Sequence, residues 1–131
     1  MATSLHIQHV SLTIVEGGQD AARAFYGGLL GLEEKEPPVS MEHLHLVWFF
    51  AGAGEMELHC IPNTPEPNGN EQNHVCFAVD DLAEYRHRLE AAGVAIQDAD
   101  LIPYRPRFFC RDPFGNLVEL TAIEGDYRLA Q

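Results

Sequence analysis

Two stretches, HVSLTI at residues 9–14 and HVCFAV at residues 74–79, open alike, with a histidine, a valine and then apolar positions that read as a short β-strand. Each is followed by a helical pattern. After the first, Gly17 and Gly18 end the strand, and QDAARAFYGGLLG (19–31) sets Ala22, Phe25, Tyr26 and Leu29 at three- and four-residue spacing, with Gly31 as the stop. Gly27 and Gly28 weaken its last turn. After the second, DDLAEYRHRLEAAG (80–93) offers Asp80 or Asp81 as a cap, Leu82, Tyr85, Leu89 and Ala92 on one face, and Gly93 as the end.

Three strand-like runs complete each half: LEEKE (32–36), HLHLVWFFA (43–51) and MELHCI (56–61) in the first, VAIQDA (94–99), RFFCRD (107–112) and LVELTA (117–122) in the second, where DPFGN (112–116) is a turn. Between the halves, PNTPEPNGNEQN is rich in proline and polar residues and reads as a surface linker. The expected plan is therefore α+β, a βαβββ module over about residues 5–62, a linker over 62–72 and a second βαβββ module over about 73–123, within a single domain 1–131. The spacing from His9 to His74 is 65 residues and that from Glu57 to Glu119 is 62, so both pairs recur at nearly one offset.

A chain of 131 residues has room for one core. Eight Lys and Arg against twenty Asp and Glu, a net charge of −12, would repel phosphate backbones and anionic membrane surfaces, which argues against nucleic acid as a partner. MATSLHIQHV lacks a basic stretch leading into a long apolar run, and no later run reaches the roughly 18 apolar residues of a membrane span. A cytoplasmic protein is expected. Cys60, Cys76 and Cys110 are odd in number, lie in strand-like runs and form no C-x-x-C pair, so they are expected as buried reduced thiols.

Side chains alternate across a strand, so parity assigns each polar residue to a face. Val10, Leu12 and Ile14 face the helix and leave His9, Ser11 and Thr13 on the other side. Val75, Phe77 and Val79 likewise leave His74 and Cys76, Leu58 and Cys60 leave Glu57 and His59, and Val118 and Leu120 leave Glu119. One histidine or glutamate on a half-exposed sheet is ordinary; four strands that each turn one away from the core form a pattern. If the sheets curve about a common cavity, His9, Glu57, His74 and Glu119 form an N2O2 set suited to Zn, Ni, Fe(II), Mn or Co.

The stretches HVSLTI, AFYGGLLGLE, MELHCI, NHVCFAVDDL, LEAAGV and above all RDPFGNLVEL resemble the vicinal oxygen chelate superfamily, which includes glyoxalase I, extradiol dioxygenases and the fosfomycin and bleomycin resistance proteins. The resemblance spans residues 5 to 122. It implies paired βαβββ modules in a cup around a divalent metal, with His9, His74 and Glu119 as ligands, Glu57 as the fourth and His59 as its competitor or a base. It also implies a homodimer. The shared chemistry is Lewis-acid stabilisation of an enolate-like anion on a substrate chelated through vicinal oxygens, with Glu119, Glu57 or His59 moving the proton.

A glyoxalase-type lyase or isomerase fits the His, Glu, His, Glu set, although the first half offers only Arg23 and Lys35 to the carboxylates of glutathione. An extradiol dioxygenase would use His9, His74 and Glu119 for Fe(II) and His59 or another histidine as base, but the penultimate strand carries Phe108 and Phe109 where such enzymes tend to carry a substrate-facing tyrosine. A metal-free small-molecule binding protein of the bleomycin resistance kind is the third reading. Arg105, Arg107 and Arg111 crowd into YRPRFFCRD and are suited to a carboxylate or phosphonate on the substrate, or to pairing with Asp98, Asp100 or Asp112. Trp48, Phe49 and Phe50 are expected in core and cup wall, His43 and His45 on one strand face, and His6 and His87 at the surface.

Overall fold

A computed structural model describes residues 5–52, 54–63 and 72–130. The chain divides into two compact units, Met1–Pro67 and Asn68–Gln131. The linker expected over 62–72 falls largely outside the described residues. No described helix is long and apolar enough to cross a membrane.

Unit 1 runs β1 (His9–Ile14), a helix α1 that starts as α over Gln19–Ala22 and continues as a π-helix over Arg23–Leu29, then β2 (Glu34–Lys35), β3 (Val47–Phe50) and β4 (Glu57–Pro62). The strands lie in the order β1-β4-β3-β2, with β1 parallel to β4 and the other pairs antiparallel. Unit 2 repeats the plan with β5 (His74–Ala78), α2 (Leu82–Ala91), β6 (Gln97–Asp98), β7 (Arg107–Arg111) and β8 (Leu117–Thr121), in the order β5-β8-β7-β6. Both units are the expected βαβββ.

The helix of unit 1 widens where its sequence changes. The Leu30 amide donates to Phe25 O five residues back, at 3.0 Å, a spacing that lets the neighbouring Phe25 and Tyr26 both turn inward and bury. Tyr26 meets the Phe49 ring at 6.1 Å, and a Cβ on Gly27 would stand 3.4 Å from that ring, so a glycine eases the approach. Gly31, at φ 80, ends the segment as the sequence implies. In unit 2 Asp81 caps α2 by accepting from the Glu84 amide at 3.1 Å, and Gly93 ends it at φ 82.

Parity holds in both sheets. Ile14, Val47, Phe49, Leu58 and Cys60 are buried in unit 1, and Phe108, Cys110, Val118 and Leu120 in unit 2. Three expectations need correction. The strand read over 43–51 begins only at Val47, because the Pro38 carbonyl starts a 3-10 helix over Val39–Leu44 that His45 ends in the left-handed region at φ 53, so His43 and His45 do not share a strand face. The strand read over 94–99 is two residues long. Cys60 and Cys110 are buried free thiols, but Cys76 is exposed, since it lies on the polar face of an edge strand.

Leu89 is the buried residue of α2. Leu89→Ala is expected to lower the stability of unit 2 by roughly 2–5 kcal/mol through the cavity it leaves, measured by chemical denaturation; a loss of a few tenths would show that α2 does not seal this core.

Candidate functional site

The polar face of unit 2 is held by its parallel ladder. Cys76 stands opposite Glu119 and His74 opposite Leu117, so the His74 side chain reaches Glu119 diagonally, with Nε2 3.0 Å from Oε1. The other carboxylate oxygen accepts from Arg107 Nη1 at 3.2 Å. Arg107 also donates to Asp100 O, and its guanidinium lies 5.5 Å from the centre of the Phe109 ring, whose neighbour is the His74 ring at 5.1 Å. His74, Glu119, Arg107 and Phe109 thus form one contiguous group.

The second nitrogen of His74 sharpens the chemistry. Nδ1 is 2.9 Å from Gln72 O, an acceptor only, so Nδ1 carries hydrogen. In the neutral ring Nε2 then presents a lone pair to a carboxylate that also only accepts. Two acceptors at 3.0 Å need a cation between them, either a proton or a metal ion. Two donors bound at about 2.0–2.1 Å to one ion stand about 3 Å apart, and metal-bound histidines usually give their other N–H to a carbonyl or carboxylate. The pair fits a divalent metal.

Unit 1 builds its first histidine the same way. Gln8 Nε2 donates to Glu55 O at 2.7 Å, which turns Gln8 Oε1 to accept from His9 Nδ1 at 2.7 Å and leaves His9 Nε2 as the lone-pair nitrogen. The His9 ring stacks on His59 at 4.1 Å, and His59 stacks on Trp48 at 3.8 Å. Glu57, which faces His9 in the ladder, is already engaged: Oε2 pairs with Lys35 Nζ, and Oε1 lies 2.9 Å from His59 Nε2. These contacts, Lys35 first and His59 second, hold its carboxyl down at about 2.

The ladders also revise the equivalence of the two halves. His9 faces Glu57, whereas His74 faces Leu117; Ser11 faces His59, whereas Cys76 faces Glu119. Trp48 opposes His59 as Phe109 opposes Glu119. The residue of unit 1 that matches Glu119 in register is therefore His59, and the nearly equal spacings in sequence are a coincidence of the motif E-L. Gln8, Gln72 and Lys35 acquire roles that spacing did not show. Lys35 could have been found by carrying parity through β2, where it opposes Trp48.

The arginine cluster separates. Only Arg107 joins Glu119; Arg111 donates to Gly115 O, and Arg105 lies over the Tyr127 ring at 5.1 Å. Asp98 pairs with Arg86, and Asp112 folds the 112–116 turn by accepting from the amides of Phe114 and Asn116. Nε of both Arg105 and Arg107 is buried without a hydrogen-bond partner among the described residues. In unit 1 Arg23 binds Glu34 and Asp20, so both basic residues there face acids of their own. The exposed Cys76 has its thiol pushed up to about 11 by burial of the sulfur and by Glu119, which keeps it protonated beside the carboxylate. Among the described residues no group of three or more His, Cys, Asp or Glu side chains is poised to hold a metal.

Because the Glu57 carboxyl is lowered from 4.5 to about 2, its contribution to stability is fully present above pH 4.5 and is lost as the pH falls towards 2. The stability gap between the wild type and Glu57→Gln, measured by urea unfolding, is expected to narrow on acidification through that window; a constant gap would mean that the ion pair adds nothing to the folded state.

The family model for the glyoxalase/bleomycin resistance protein/dioxygenase superfamily matches residues 6–120. A Bacillus anthracis protein assigned to the glyoxalase family has 30% sequence identity and a TM-score of 0.83, over 94% of this chain and 99% of that one. A lactoylglutathione lyase from Agrobacterium tumefaciens has 26% identity and a TM-score of 0.66, over 92% and 96%. The fosfomycin resistance protein FosX from Listeria monocytogenes shares the fold, with 21% identity and a TM-score of 0.73 over 99% and 98%. No curated protein matches the sequence significantly. Matched along nearly its whole length, the chain belongs to the glyoxalase/bleomycin resistance protein/dioxygenase superfamily.

Proposed function

We propose that this protein is a metal-dependent small-molecule enzyme of the glyoxalase type, a lyase or isomerase, whose divalent ion (Zn, Ni, Fe(II), Mn or Co) is shared by His9, His74, Glu119 and one donor at the start of β4, Glu57 or His59. The observation that carries it is the facing pair of acceptors, His74 Nε2 and Glu119 Oε1, at 3.0 Å with the other face of the imidazole already tied to Gln72 O. His9, tied through Gln8, supports the same reading. When bound, the ion supplies Lewis-acid polarisation of vicinal substrate oxygens and so stabilises an enolate-like anion.

The chain's own groups do the rest. Gln8 and the Gln72 carbonyl fix which imidazole nitrogen faces the site. Arg107 restrains Glu119, a carboxylate suited to shuttle a proton beside a polarised carbonyl, with Glu57 and His59 as the other candidate bases. Phe109 gives the substrate an apolar wall. Arg105, whose Nε is buried without a hydrogen-bond partner among the described residues, is suited with Arg107 to an anionic group of the substrate. Since Arg23 and Lys35 are both paired, that anion falls to unit 2, which favours a substrate other than a glutathione adduct held by unit 1. The family resemblance adds a homodimer.

Tag-free protein purified without chelator is expected to carry stoichiometric metal and to melt higher when Ni, Zn, Mn or Fe(II) is added. His74→Ala and Glu119→Gln should each abolish binding, while Arg105→Met should raise KM for an anionic substrate and leave metal content unchanged. Hemithioacetal isomerisation should exceed catechol ring cleavage in a screen with several metals. Absence of both metal and a thermal shift would turn the reading to a binding protein of the resistance kind, and ring cleavage with Fe(II) to a dioxygenase.

A further inference from the structure

Unit 1 contains a linear set of contacts that bears on which of Glu57 and His59 is the β4 donor. The Lys35 ammonium holds one oxygen of Glu57, the other oxygen lies 2.9 Å from His59 Nε2, and the His59 ring is sandwiched between Trp48 and His9. A carboxylate bound to an ammonium only accepts, so the hydrogen between Glu57 and His59 belongs to His59 Nε2. His59 Nδ1 then carries the lone pair.

The pairs in the two units differ on this point. In unit 2 the histidine hydrogen is spent on Gln72 O, and the nitrogen facing Glu119 needs a cation. In unit 1 the nitrogen facing Glu57 already bears a hydrogen, so the contact is complete without one. A cation at Glu57 would also stand beside the Lys35 ammonium. In register, finally, His59 and not Glu57 holds the place of Glu119.

We propose that Glu57 is a positioning residue, clamped by Lys35, which holds the His59 ring and its hydrogen so that His59 Nδ1, not the Glu57 carboxylate, is the β4 donor that accompanies His9. This rests on the metal-dependent reading above. The clamp repeats in carboxylate form what Gln8 and Gln72 O do for the other two histidines.

Two measurements test it. Nitrogen-15 NMR of the metal-free, full-length protein should show His59 as the Nε2–H tautomer, shifting towards a mixture in Glu57→Ala, with His74 unchanged. In Co(II) titrations followed by visible absorption, His59→Ala should weaken binding most. Glu57→Ala should cost about 10–100-fold, the range for a residue that orients a ligand. Glu57→Gln, which keeps an acceptor for Nε2–H, should recover most of that loss. A Glu57→Gln loss as large as that of His59→Ala would make Glu57 the donor and overturn the proposal, and so would an Nδ1–H tautomer in the wild type. If the wild type binds no Co(II), the metal reading and the donor role fail together, while the NMR result still decides the clamp by itself.

Discussion

Strand parity is the constraint on which everything else in this molecule rests. A sheet covered by a helix on one side must give that side its apolar residues at every second position, and whatever polar groups the strand carries are then forced onto the opposite side. In both units the strands pair so that the residues left over are histidines, glutamates and a few large rings, set next to each other on adjacent strands. Burial of Leu58 and Cys60 is thus what aims Glu57 and His59, and burial of Val118 and Leu120 is what aims Glu119. A register slip of one residue would move every one of them into the core, where an unpaired carboxylate costs several kcal/mol.

The acidic surplus of the chain makes its few cations informative. Arg23, Arg86 and Lys35 each meet an acid, and Arg107 joins Glu119 from the same sheet face. Exposed pairs such as that of Arg23 contribute little to stability. The pairs at Glu57 and Glu119 are of another kind, because both carboxylates are nearly buried and each is fixed by a cation on one oxygen and an imidazole on the other. Similar surroundings conceal opposite hydrogen-bond polarity, donor to acceptor in unit 1 and acceptor to acceptor in unit 2. In the proposed metal site that difference, rather than residue type, would separate a group that positions from one that binds.

Much of this was legible in the sequence. The two histidine-valine starts, the helix ends at Gly31 and Gly93, the 112–116 turn and the faces of the long strands follow from period and punctuation, which act locally. The register between β1 and β4 did not, since sequence spacing pairs Glu57 with Glu119 while the parallel ladder matches His59 to it; loop lengths between strands differ in the two halves and shift the count. The region before Val47 misled because two prolines and a left-handed His45 make a short helix from residues that alternate like a strand. Roles that depend on a tautomer, those of Gln8 and Gln72, lie below what residue identity can specify. The resemblance in RDPFGNLVEL named the family at the outset, and the match over residues 6–120 agrees with it.

Trp48 is the single tryptophan of the chain, and its ring lies flat against His59, 3.8 Å away and within 2° of parallel. Stacked indole emission is sensitive to the electronic state of the imidazole it touches, so any proton or ion taken up at His59 is written into the protein's intrinsic fluorescence. The one indole of the chain thus rests on a histidine of unit 1, an optical probe built into that half of the molecule.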